Sequence, residues 1–144
     1  MNYLFVGIGG IFGALARCYL STSIHESTLS SFPFGTLCVN LIGSFLLSFI
    51  AYASLLSWNL PRKYILAVNT GFIGSFTTFS AFSLELVNLI INNNFDLAII
   101  YVSVSLIGGL GLSWLGIKTA YTFYQQEQKK GDQRQSLGEA TQEN

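Results

Sequence analysis

Apolar residues run along this chain in four long blocks, roughly 3–24, 34–58, 64–91 and 97–124, each followed by a polar stretch. The breaks between them are the serine-rich 25–33, then Asn59-Leu60-Pro61-Arg62-Lys63, then Asn92-Asn93-Asn94-Phe95-Asp96. Each block reaches the ~20 residues that a helix needs to cross a hydrocarbon core. The pattern therefore predicts an all-α membrane protein with four transmembrane helices in one domain, residues 1–124. Tyr52, Trp58, Tyr64, Tyr101, Tyr121 and Tyr124 fall near block ends, where aromatic rings favour the membrane interface. Beyond Tyr124 the chain is polar to Asn144 and has almost nothing to bury, which predicts a disordered tail over 125–144.

Composition agrees with the pattern. Hydrophobic residues make up 51% of the 144 positions and charged residues only 10%, too few to clothe a soluble domain. Over residues 1–60 only Arg17, His25 and Glu26 carry or can take a charge, and over 64–117 only Glu85 and Asp96. Formal net charge is zero and the basic residues form no long run, so nothing points to nucleic acid. The apolar N-terminus has no preceding Lys or Arg and no small-residue cleavage site, so it is expected to be a retained first span. Cys18 and Cys38 match neither a redox nor a zinc spacing and are expected to be small apolar residues within spans.

The third block is the unusual one. Gly71 and Gly74 lead into Ser75-Phe76-Thr77-Thr78-Phe79-Ser80-Ala81-Phe82-Ser83 at what should be mid-membrane depth. Lipid offers no water to free backbone groups, so a helix is broken there only where the break faces protein or an aqueous path. Glycines with a hydroxyl cluster at that depth point to an ion or substrate site and predict a third helix broken near its middle. Phe76, Phe79 and Phe82 recur at i,i+3 and would share one face of a helix, with Thr77, Ser80 and Ser83 beside them. Ring edges are electropositive and approach anions; hydroxyls donate to anions, while freed carbonyls favour a cation such as Na⁺.

Three further polar residues need an explanation within the spans. Arg17 either snorkels to the interface or lines an aqueous vestibule that draws anions. Asn40 is either interhelical glue or a donor into a pore. Glu85 is either a protonated or paired carboxylate within the span or a residue near a vestibule. Glycines at 9, 10 and 13 in the first block and at 108, 109, 111 and 116 in the fourth favour close helix approach. Four helices share only a thin core, so this packing predicts an oligomer, most simply a dimer.

Three motifs carry a family resemblance: Gly9-Gly10-x-x-Gly13-Ala14-x-x-Arg17, Gly35-Thr36-Leu37-x-Val39-Asn40-x-x-Gly43-Ser44-Phe45, and Gly71-Phe72-x-Gly74-x-x-Thr77-Thr78-Phe79-Ser80-x-Phe82-Ser83-x-Glu85. In order and spacing, over about residues 3–124, the chain resembles the CrcB/Fluc fluoride channels. The resemblance implies an antiparallel dimer with two narrow fluoride pores and a central Na⁺ held by backbone carbonyls at the third-helix break, here those of Gly74 and Thr77. It also implies pore phenylalanines at Phe79 and Phe82, a pore asparagine at Asn40, a vestibule arginine at Arg17, and a hydroxyl track through Ser80 and Ser83. On the fourth span the match is loose, and Tyr101 and Ser105 are candidates only. Ala81 stands where that family often has Thr, and Ser75 where it often has Gly.

The expected function is a fluoride-selective channel of the plasma membrane (the inner membrane, in a Gram-negative cell) that lets cytoplasmic fluoride leave and so lowers its toxicity. No nucleophile–base set, metal cluster or nucleotide loop suggests an enzyme. One rival is a proton-coupled fluoride exchanger using Glu85, the only carboxylate within a span. Another is a non-conducting subunit that completes the pore of a paralogous partner. A small multidrug exporter would be expected to carry a carboxylate in its first span, where this chain has Arg17. Four spans place both termini and the second connection on one side, with Arg62, Lys63, Lys118, Lys129, Lys130 and Arg134; the other side has no Lys or Arg. That bias favours cytoplasmic termini and predicts that the oppositely oriented subunit is a related but separate chain rather than a second copy.

Overall fold

In the computed structural model, which describes residues 2–28, 32–56 and 61–142, all regular structure among the described residues is helical. Helix α1 covers Asn2–Thr28 and α2 covers Phe34–Leu56. The third span is assembled from pieces: α3 (Arg62–Leu66), a π-helical segment (Ala67–Ile73), α4 (Gly74–Phe76) and α5 (Phe79–Ile91). Helix α6 is a single run, Phe95–Gln142. Four stretches are long and apolar enough to cross a membrane: Tyr3–Ile24, Phe34–Leu56, Lys63–Ile91 and Phe95–Arg134. They match the four expected spans. Trp58, expected near an interface, lies outside the described residues together with parts of the first two connections.

Local chemistry sets the corners. Pro61 precedes α3 at φ −53° and ψ 132°, an extended entry that a helix interior would not accept. After α5 the chain reverses through three asparagines: Asn93 N–H donates to Ile90 O at 3.0 Å and Asn94 N–H to Leu89 O at 2.9 Å. Asn93 sits between them at φ 60°, the left-handed residue of a Schellman turn, and asparagine tolerates that conformation better than most side chains. Asn94 O then accepts from Ala98 N–H at 3.0 Å and starts α6 antiparallel to α5.

Packing divides the molecule into two close pairs. Helix α2 lies along α6, and α1 lies along the π-helical segment. In the second pair, Gly9 and Gly13 face the carbonyls of Ala67 and Phe72, and a methyl group added to Gly71 would stand 2.5 Å from Val6 O. The first-span glycines Gly9 and Gly13 thus serve the close helix approach expected of them, and the neighbour is this chain's own third span. The small buried cluster of Leu37, Leu89, Ala98 and Tyr101 sits near the α5–α6 corner, with Phe82 and Leu86 against it. Most large apolar side chains point outward, among them Ile11, Phe12, Leu15, Ile107, Leu110 and Trp114. Such faces suit lipid or another transmembrane surface.

The last helix continues past Tyr124, where composition predicts disorder. Gln, Glu and Lys are good helix formers, and a helix satisfies its own backbone without needing a core. Residues 125–134 are exposed, and Lys130 Nζ lies 4.0 Å from Glu127 Oε1 one turn away. A pair this exposed adds little stability.

Candidate ion site at the third-span break

The break falls at Thr77 and Thr78, whose backbones are extended at φ −76°, ψ 155° and φ −147°, ψ 126°. The glycines do not make it: Gly71 lies in the π-helical segment and Gly74 opens α4. A glycine weakens a helix by about 1 kcal/mol relative to Ala without forbidding it. What stops this helix is competition for its hydrogen bonds. Thr77 N–H still donates to Ile73 O at 2.9 Å. Thr78 N–H leaves the ladder and donates to Asn40 Oδ1 at 2.8 Å, while Asn40 Nδ2 donates to Thr78 O at 2.9 Å. One carboxamide on α2 thus grips both backbone polar groups of Thr78. Thr78 then caps α5, its hydroxyl accepting from Ala81 N–H at 3.2 Å.

Carbonyls on the N-terminal side of the break lose their helical donors as a result, Gly74 O and Thr77 O among them. In a continuous helix Gly74 O would accept from Thr78 N–H and Thr77 O from Ala81 N–H. Both donors are engaged elsewhere, with Asn40 and with the Thr78 hydroxyl. Gly74 is exposed on this chain and Thr77 half-buried. Carbonyl oxygens without helix donors fit the chemistry of a hard monovalent cation, and the pair the family resemblance implies, Gly74 and Thr77, is among them.

The break also divides the phenylalanine stripe expected from i,i+3 spacing. Phe76 remains on α4, buried and parallel to Phe72 with ring centroids 6.0 Å apart. Phe79 and Phe82 start afresh on α5, their rings 6.0 Å apart and tilted by 31°. Phe82 packs on Tyr101 at 4.9 Å, whereas Phe79 is 80% exposed. These two rings, Asn40, Ser44, Thr78 and Ser105 wall a cavity of about 340 Å³, open on one side. The structure therefore brings Asn40, Phe79, Phe82 and Thr77 together and adds Ser105 from α6. The expected hydroxyl track is less regular. Ser80 is exposed with its hydroxyl 3.2 Å from that of Thr78, and Ser83 donates back to Phe79 O at 2.9 Å.

Thr78 also borders a second cavity, of about 230 Å³, with Arg17, Ser21, Thr36, Ala81 and Glu85. Arg17 is half-buried there, on the opposite side of Thr78 from the two rings. That cavity adjoins an opening of about 690 Å³ at the end of the bundle, where Asn88, Asn92 and Asn94 join Ser21, Thr36 and Glu85. Hydroxyl, amide and charged groups thus continue from the bundle end to the break. Glu85 is held firmly in this wall: Thr36 Oγ1 donates to Oε1 at 2.6 Å and Tyr101 OH to Oε2 at 2.7 Å. Both donors are buried, so Glu85 is a hydrogen-bonded residue in the wall of these openings.

Sequence reasoning passed over Thr36, Ser44 and Thr78 as individual site residues. A signal existed for Thr78, a hydroxyl residue just ahead of an apolar helical run, which is an N-cap pattern. No spacing rule links Thr36 to a carboxylate 49 residues later.

Comparison with known proteins places this arrangement. Residues 4–117 match the family model described as "CrcB-like protein, Camphor Resistance (CrcB)". The chain is 48% identical over 114 residues to a Bacillus cereus protein named "Fluoride-specific ion channel FluC 1", covering 79% of this chain and 83% of that one. It is 43% identical over 133 residues to "Fluoride-specific ion channel FluC 2" of Geobacillus kaustophilus, covering 91% and 98%. The helical order, the broken third span and the match over most of its length establish that this chain belongs to the CrcB family.

Proposed function

We propose that this protein is a fluoride-selective channel that lets fluoride leave the cytoplasm down its gradient. The observation that carries this reading is the half-open cavity of Phe79, Phe82, Asn40 and Ser105 at a helix break, in a chain nearly half identical to relatives named for fluoride conduction. The physical task is to strip water from a small, strongly hydrated anion. Asn40 spends one amide N–H on Thr78 and has a second to offer. Hydroxyls and ring edges supply further positive poles, and a narrow bore rejects larger chloride. Arg17, beside the polar wall that leads to the break, raises the local anion concentration.

A single chain leaves Phe79 exposed and its cavity open on one side. An antiparallel second subunit closes it, and the two breaks meet about one axis. A Na⁺ ion at that axis would be held by the carbonyls of Gly74 and Thr77 from each subunit, and it supplies positive charge that the uncharged break lacks. The charge bias of the connections favours a related chain as the second subunit, with the termini of this one in the cytoplasm. Relatives bearing the numbers 1 and 2 in their names are compatible with paired chains. The exchanger reading is disfavoured by the two hydroxyl donors that fix Glu85 in place.

The test is fluoride efflux from liposomes holding the purified protein, alone and with a co-expressed related chain. Fast fluoride efflux without chloride efflux, independent of any pH gradient, is expected. Efflux that requires a pH gradient would support the exchanger instead, and no efflux in either preparation would overturn the channel.

A further inference from the structure

We propose that Asn40 is the positioning residue that creates the cation site, its oxygen serving the cation and its nitrogen serving the anion path. The inference rests on the reading of Gly74 and Thr77 as cation ligands and deepens it. Thr78 N–H has two possible acceptors: Gly74 O, which would continue the helix, and Asn40 Oδ1, which breaks it. The structure has it at Asn40, 2.8 Å away. Whatever holds that N–H also decides whether the Gly74 carbonyl is available to an ion. Asn40 therefore acts on the cation through Thr78 without touching it.

Nδ2 of the same carboxamide donates to Thr78 O at 2.9 Å, and Asn40 lines the cavity with Phe79, Phe82 and Ser105, so its second N–H is assigned to the anion path. Ser44 fixes the carrier turn by donating to Asn40 O at 2.8 Å. The two functions separate by atom. The substitution Asn40→Asp keeps an acceptor for Thr78 N–H and removes both donors, whereas an alanine or serine side chain at this position cannot reach Thr78 at all.

The experiment uses the full chain, with its partner if one is required, in detergent. Thermal stability is measured against increasing Na⁺ at constant ionic strength, with an impermeant organic cation as balance. Fluoride flux is measured in parallel. Wild type is expected to gain stability with Na⁺ at a definite midpoint. Asn40→Ala is expected to move that midpoint about tenfold higher or abolish it, the scale of one lost hydrogen bond to a buried group. Asn40→Asp is expected to keep the wild-type midpoint while losing fluoride flux. If Asn40→Ala does not fold, Asn40→Ser answers the same question, since it keeps a polar group but falls short of Thr78. A wild-type midpoint in the Ala or Ser variant overturns the proposal, as does a midpoint lost in Asn40→Asp. If wild type itself shows no response to Na⁺, the underlying cation reading fails and the proposal with it.

Discussion

Phe79 and Phe82 differ in surroundings although they share a helix face. Phe82 is wedged against Tyr101, while Phe79 stands open to whatever covers the cavity. Replacing either by isoleucine keeps apolar bulk and removes the electropositive ring edge. Phe79→Ile and Phe82→Ile are each expected to depress fluoride flux while the purified protein keeps its wild-type elution; Phe79→Ile is expected to keep the wild-type thermal stability and Phe82→Ile to lose some of it. Wild-type flux in both variants would return the rings to plain packing. Glu85 makes a different kind of contribution. Its two oxygens accept from Thr36 and Tyr101, and a hydrogen bond of this kind contributes about 0.5–1.5 kcal/mol net. Tyr101→Phe removes one donor and keeps the ring, so it is expected to lower stability on that scale in a detergent melt and to leave the flux independent of a pH gradient.

At the scale of elements, hydropathy was enough to count and place the spans, because crossing hydrocarbon demands ~20 apolar residues whatever their order. The existence of a break was legible too, from hydroxyls and glycines at mid-depth. Its position came from the family resemblance, at Gly74 and Thr77, and not from spacing, because a break is decided by a competitor for backbone hydrogen bonds, and here that competitor lies 38 residues away on α2. The phenylalanine stripe lost Phe76 for the same reason, while Phe79 and Phe82 keep their i,i+3 relation along the unbroken α5. First-span glycines were legible as sites of close approach, but the partner, this chain's own third span, was not, since spacing does not say which helix comes close. Two expectations follow at this scale. Thr78→Ala deletes the cap on α5 and is expected to cost about 1 kcal/mol in a denaturation or thermal-shift measurement. Gly71→Ala would press a methyl group against Val6 O. It is expected to cost about 1–3 kcal/mol by overpacking and to separate α1 from the third span. A Gly71→Ala protein as stable as wild type would mean that the two helices slide apart freely.

For the whole molecule, the identity of the proposed second subunit turns on charges far from the break. Dual insertion of one sequence requires nearly balanced Lys and Arg on the two sides of the membrane. The side with the termini holds Arg62, Lys63 and Lys118 close to the spans, with Lys129, Lys130 and Arg134 farther out; the connections 25–33 and 92–96 hold none. The geometry places two of these residues as interface anchors. Lys63 Nζ lies 5.2 Å from the Phe5 ring centroid and 4.9 Å from that of Tyr64, and Lys118 Nζ lies 5.0 Å from that of Trp114. A cation resting on aromatic rings at a span end marks the level where hydrocarbon gives way to head groups. Phe95 to Trp114 is then about 30 Å of helix, one hydrocarbon thickness. On that reading Lys118 stands at the end of the fourth span, and Lys129, Lys130 and Arg134 lie beyond it and count toward orientation. Single cysteines placed near each terminus, with Cys18 and Cys38 replaced, report the outcome through a membrane-impermeant thiol reagent on intact cells expressing this chain alone. Labelling only after the membrane is opened is expected at both ends. Charge-balancing variants, Arg62→Gln with Lys63→Gln and two lysines added to the 92–96 turn, are expected to move part of the population to the opposite orientation and to let this chain conduct without a relative. Equal labelling from both sides of the unaltered chain would mean dual insertion and an ordinary homodimer.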